Sequence, residues 1–109
     1  MTAFLTTLVL GVLVCVIGII NMTGNISSLH SYHRHRVKEE DIKPFGRLVG
    51  TGTLIIGVSL IFYGALFLAF DITKLGFLVQ IGAFCLGVGV VLGLIITIYA
   101  MMKYNKGIF

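Results

Sequence analysis

Residues 3–20, 48–70 and 75–102 carry no charge and are dominated by Leu, Ile, Val, Phe, Ala and Gly. About 20 apolar residues of α-helix cross the hydrocarbon layer of a bilayer, so each run is long enough, the first only just. An unpaired backbone polar group in hydrocarbon costs several kcal/mol, which restricts a span to a helix or a strand of a closed barrel. Barrel strands alternate polar and apolar side chains over about ten positions; "LIIGVSLIFYGALFLAF" does not. The pattern predicts an all-α integral membrane protein with three transmembrane helices.

The polar interruptions set the expected boundaries within a single membrane domain, residues 1–109. Span one covers 3–22 and ends at "NMTGN", where Gly24 and two asparagines loosen the helix. Residues 23–43 form a connector. Within it Ile26, Leu29, His33 and Val37 make a helical stripe, predicting a short amphipathic helix through "SSLHSYHRHRVKEED" capped by Asn25 or Ser27. Pro44 suits a first helical position and restrains Lys43 before it, so span two runs over 44–70. Residues 71–74 make a tight turn with Asp71 as the cap of span three, 75–102, and 103–109 form a tail.

Composition agrees with lipid as the solvent. Hydrophobic residues make up 58% of the chain and charged ones 11%, with a mean hydropathy of +1.09. Soluble domains sit nearer 45–50% and about 25%. A buried soluble helix in place of each run would need a core far larger than this chain can surround. The first run lacks a basic leader and a clear small-x-small cleavage site, so it reads as a retained span. Cys15 and Cys85 fall inside spans and behave as small hydrophobes.

Charge sets the expected orientation. The connector and its edges carry Arg34, Arg36, Lys38, Lys43 and Arg47, and the tail carries Lys103 and Lys106. The turn after span two carries only Lys74. This positive-inside bias places the N-terminus outside and the connector and tail in the cytoplasm of a cell with an inner (plasma) membrane. The sequons at Asn21 and Asn25 then lie on the untranslocated side and are chance matches. Basic residues interleaved with Glu39, Glu40 and Asp41, without a stacking module, do not make a nucleic-acid surface. Anionic lipid headgroups beside the connector are the simpler partner.

Glycines recur at seven-residue intervals: Gly11 and Gly18 in span one, Gly50, Gly57 and Gly64 in span two, Gly82 and Gly89 in span three, with Gly93 four further on. Positions seven apart share a helix face, and small residues let helices approach where lipid supplies no hydrophobic drive between them. Close helix packing is expected, together with a homo-oligomer or a larger membrane-protein partner.

Little in the spans can carry chemistry, since Asp, Glu, Lys, Arg and His are missing from all three runs. The hydroxyls are expected to bond to their own helix backbone. Tyr63, Gln80 and Tyr99 are the candidates for lining a pathway. In the connector, His30 and His33 point within about 60° of each other on a helix and could share a metal ion; His35 points away. The remaining polar side chains there, with Leu29, read as a docking surface: Leu29, His30, Tyr32, His33, Arg34, His35, Arg36, Lys38, Glu39, Glu40 and Asp41. No nucleophile elbow, phosphate loop or dinucleotide motif is present, so neither an enzyme nor a cofactor is expected.

"TGNISSLHSYHRHRVKEEDIKPFGRLVGTGTLIIGVSLI" resembles small three-span bacterial membrane proteins of unknown function, best over residues 20–60. The resemblance implies a bacterial inner membrane and no activity. The expected function is binding: a self-associating or accessory subunit with a cytoplasmic docking loop. The competing expectation is an oligomeric transporter or channel gated by pH or metal at His30 and His33, whose free pKa of about 6.5 suits a pH response.

Overall fold

The computed structural model describes residues 2–26 and 37–107. Three helices carry them: α1, Thr2–Met22, α2, Ile42–Thr73, and α3, Phe77–Tyr104. Each is long and apolar enough to cross a membrane, and the fold is all-helical. In the most apolar window of each helix only 11–17% of residues are buried. Large aliphatic and aromatic side chains point outward instead, among them Val9, Leu13, Val58, Phe84 and Ile95. Each such side chain left in water forgoes about 1.5–3 kcal/mol of burial, so this surface is built for hydrocarbon.

Helix α2 is the centre. Helices α1 and α3 pack along it and barely meet each other. The first contact is made by the heptad glycines. A methyl group built on Gly18 would sit 2.9 Å from the Gly50 carbonyl oxygen and 2.9 Å from the Leu54 amide nitrogen. One built on Gly57 would sit 2.8 Å from the Cys15 amide nitrogen and 3.0 Å from the Gly11 carbonyl oxygen. Gly64 meets the Thr7 hydroxyl, and Gly46 meets the Asn21 carbonyl. Backbone therefore lies on backbone at these crossings, the geometry that small residues permit between membrane helices.

The second contact lies on the other side of α2. Gly52 faces Gly93, each with its Cα within reach of the other's carbonyl oxygen, at 2.6 and 2.5 Å from the built methyls. Ser59 meets Gly89, and Tyr63 and Leu66 close over Gly82. Gly52 and Ser59 are themselves seven apart, two positions on from Gly50 and Gly57. Two residues turn a helix by about 200°, which is why one helix presents two seams.

The hydroxyls bond within their own helices. Thr51 donates to Arg47 O (2.7 Å), Ser59 to Ile55 O (2.8 Å) and Thr97 to Gly93 O (2.8 Å). Turned inward in this way, they are compatible with lipid and with tight seams.

Three boundaries differ from the sequence expectation. Asp71 does not cap α3; it lies in the last turn of α2, which continues to Thr73. Lys74 then ends α2 in the left-handed region (φ 62°), its N–H returning to Phe70 O, and α3 starts after Gly76. The stretch from Asp71 to Thr73 holds no breaker, and the Thr73 hydroxyl satisfies Ala69 O (2.7 Å) inside the helix, so local chemistry favours one more turn. At the other end Pro44 is the third residue of α2 rather than its first. It is tolerated because first-turn N–H groups need no partner within the helix. Of the amphipathic helix expected in the connector, Val37 and Lys38 are not helical, and Lys38 has extended angles (φ −68°, ψ 150°). Glu39–Asp41 form a single 3-10 turn leading into α2. The rest of that expected helix lies outside the described residues.

Candidate functional site

Among the described residues, the one place where hydrophobic side chains are fully enclosed is the end of the bundle where α1 finishes, α2 begins and α3 finishes. Phe45, Val49 and Ala100 are completely buried there, with Ile26 and Met101 nearly so. Val37, Ile42, Leu48 and Tyr104 pack around them, and the Tyr104 ring meets Phe45 edge-on at 6.3 Å. Such edge-to-face pairs contribute about 0.5–1.5 kcal/mol beyond area burial. Ile26 is the last described residue before the connector gap and Val37 the first after it. Both flanks of the polar connector are thus seated on one small core.

Chain reversals hold this end in shape. Gly24, with φ +100°, closes α1 and returns its N–H to Asn21 O at 3.0 Å. That is the left-handed helix ending for which glycine is favoured. At the end of α3 the chain turns through Lys106 (φ 61°), and the Gly107 N–H returns to Met101 O at 3.2 Å. The Asn105 side-chain amide donates to Gly107 O at 2.9 Å. Asn21 and Asn105 are both buried against the core.

Charge gathers at the same end. Lys38, Lys43 and Arg47 flank the start of α2 and are exposed, as are Glu39 and Glu40. Lys103 and Lys106 sit at the end of α3, also exposed. The Lys103 ammonium lies 5.2 Å from the Tyr104 ring centre and 5.8 Å from that of Tyr99. Lys74 is at the opposite end, in the α2–α3 turn.

The candidate residues fall as follows. Leu29, His30, Tyr32, His33, Arg34, His35 and Arg36 lie outside the described residues, and so does the possible His30/His33 metal pair. Among the described residues no group of three His, Cys, Asp or Glu side chains could hold a metal ion. Lys38, Glu39, Glu40 and Asp41 stand at the foot of α2. Two of the three pathway candidates stand far apart on one helix. Tyr63 is turned to Gly82 on α3 and to the Phe67 ring at 6.2 Å. Gln80 and Tyr99 are exposed on α3, and at 1.5 Å per residue they are about 28 Å apart. All eight glycines singled out in the sequence make their close contacts inside this one chain. A second protein would have to meet the outward faces instead. One such face carries a shallow apolar groove of about 430 Å³, lined by Ala83, Phe84, Gly87, Val88, Val91 and Leu92.

The seam residues Gly52 and Ser59 and the core residues Phe45, Val49 and Met101 were not singled out by the sequence. Spacing could have found the first two, which repeat at seven. Comparison with known protein families, curated proteins and solved structures finds no match. The functional reading therefore rests on the chain's own geometry.

Proposed function

We propose that this chain is a multi-pass inner-membrane protein that acts by binding, as a self-associating or accessory subunit whose polar connector docks a partner in the cytoplasm. The observation that carries this reading is the contrast between the two parts of the molecule. The helices leave broad apolar faces on α1 and α3 unpartnered, while the foot of the bundle is enclosed and holds both flanks of the connector. A docking element works best from a fixed base, since ordering it on binding then costs less entropy.

The orientation reading gains support from the fold. The up-and-down helix order gathers Lys38, Lys43, Arg47, Lys103 and Lys106 at one end and leaves Lys74 at the other. Reporter fusions after Ile72 are expected to read as external and after Phe109 as cytoplasmic; an external reading after Phe109 reverses the assignment.

Extraction into native-bilayer discs tests the binding reading. Discs are expected to hold more than one protein chain, and proteoliposomes of the pure protein are expected to be silent to ions and small solutes. A flux abolished by Gln80→Leu would replace this reading with transport, and single-chain discs would remove self-association.

A further inference from the structure

We propose that Tyr99, Lys103 and Tyr104 bind the phosphate headgroup of an anionic phospholipid, whose acyl chain lies along Ile95 and Ile98 toward Leu92. The inference rests on the membrane reading and is independent of any protein partner.

The head of this site is a fixed cation. Lys103 is exposed, and its ammonium lies between the phenol rings of Tyr104 and Tyr99. Tyr104 cannot swing away freely, because its ring is packed against the buried Phe45. Tyr99 stands one turn below Lys103 on the same helix. A single ammonium held between two phenols offers a charge and hydroxyl donors to one phosphate. Charge complementarity selects an anionic lipid over a zwitterionic one, and aromatic rings with lysine are the usual furniture of the headgroup level.

The tail of the site is the face of α3 turned away from α2. Gly82, Gly89, Gly93 and Ala100 are buried toward the centre of the bundle. Ile95, Ile98, Tyr99 and Met102 are exposed on the other side. Descending from Lys103 at 1.5 Å per residue, Leu92 lies about 16 Å down. One leaflet of hydrocarbon is about 15 Å deep. The ridge of Tyr99, Ile95 and Leu92 therefore spans that leaflet, and the apolar groove, from Leu92 to Ala83, lies deeper. Headgroup cation and apolar ridge thus share the outer side of α3 over the length of one lipid chain, with Tyr104 flanking Lys103 from the bundle side.

Native mass spectrometry of the detergent-purified protein tests this, with phosphatidylglycerol and phosphatidylcholine as the two probes. Wild type is expected to retain phosphatidylglycerol in preference, and Lys103→Gln to weaken it about fivefold, the worth of one basic group beside an anionic surface. Lys106→Gln, which removes the same charge nearby, is expected to change it less than twofold. Equal losses in the two variants would mean that only net charge matters, and equal retention of the two lipids would remove the headgroup; either result overturns the proposal. Displacement by millimolar inorganic phosphate would assign the site to a soluble anion and overturn it too. These outcomes leave the membrane reading intact, since a variant still requiring detergent is still a membrane protein.

Discussion

Replacing Gly50 by Leu is expected to pry α1 from α2 and lower the stability of the bundle by about 3 kcal/mol or more, at the upper end of what overpacking costs. Gly87→Leu is expected to change it by no more than about 0.5 kcal/mol. Both glycines lie inside apolar helices, so composition and helix propensity treat them alike. Their surroundings do not. A methyl group on Gly50 would press on the Gly18 carbonyl and the Met22 side chain and sit 2.7 Å from the Met22 amide nitrogen, whereas nothing lies within 4 Å of one on Gly87. Backbone cannot rotate away as a side chain can, so the helices must separate, and the neighbouring Gly18–Leu54 and Gly57–Cys15 contacts go with them. Titration from mild detergent into dodecyl sulfate, followed by energy transfer between labels at Thr2 and Thr73, reads the separation directly. Equal sensitivity of the two positions would show that the seam is not where the structure puts it.

The same comparison shows how far the sequence could be read. Spans are legible because a lipid-facing helix needs an unbroken apolar run, and the three runs have few competing explanations. The heptad glycines mark helix faces, but spacing alone does not say which helix a face meets. Gly50, Gly57 and Gly64 could equally have faced a second copy of the chain; in the structure they face α1. The second seam was missed because Ser59 is not a glycine, although its hydroxyl folds back to Ile55 O and leaves a small surface. The small core was missed for a deeper reason. In a run such as "PFGRLVG" a buried Phe45 or Val49 and a lipid-facing Leu look alike, since hydrocarbon accepts either. The end of α2 at Lys74 follows from a left-handed residue without a glycine to announce it. The connector histidines were the sharpest chemical signal in the sequence, and they lie among residues 27–36, outside the described structure.

The α1 seam meets backbone on backbone at Gly18, Gly50 and Gly57, and the α3 seam does so at Gly52 and Gly93 while bringing side chains of Ser59, Tyr63 and Leu66 onto Gly82 and Gly89. Side chains adapt and backbone does not, so substitutions at Gly52 and Gly93 should be less forgiving than one at Gly82. The foot of the bundle joins all three helices and both connector flanks, which makes it the point where helix packing and docking depend on the same residues.

Phe45→Ala puts that dependence to the test and is expected to cost about 3–5 kcal/mol, the range for emptying a fully buried phenylalanine site. The Phe45 ring is 0% exposed and is the packing surface for Tyr104. Its removal leaves a cavity between α2 and α3 and loosens the seat of Ile26 and Val37. Two readouts follow. The unfolding midpoint in dodecyl sulfate falls, and trypsin cuts faster after Lys38, because local opening of the foot frees the segment leading into α2 before the spans separate. Phe84→Ala supplies the contrast. Phe84 is 73% exposed on the outer face of α3, and in lipid its ring meets hydrocarbon whether or not the helices are associated. The expected cost there is below about 1 kcal/mol, with tryptic cleavage unchanged. If Phe84→Ala proves as damaging as Phe45→Ala, or if cleavage after Lys38 is indifferent to Phe45, the enclosed foot is not what holds the connector, and the docking base must be sought elsewhere.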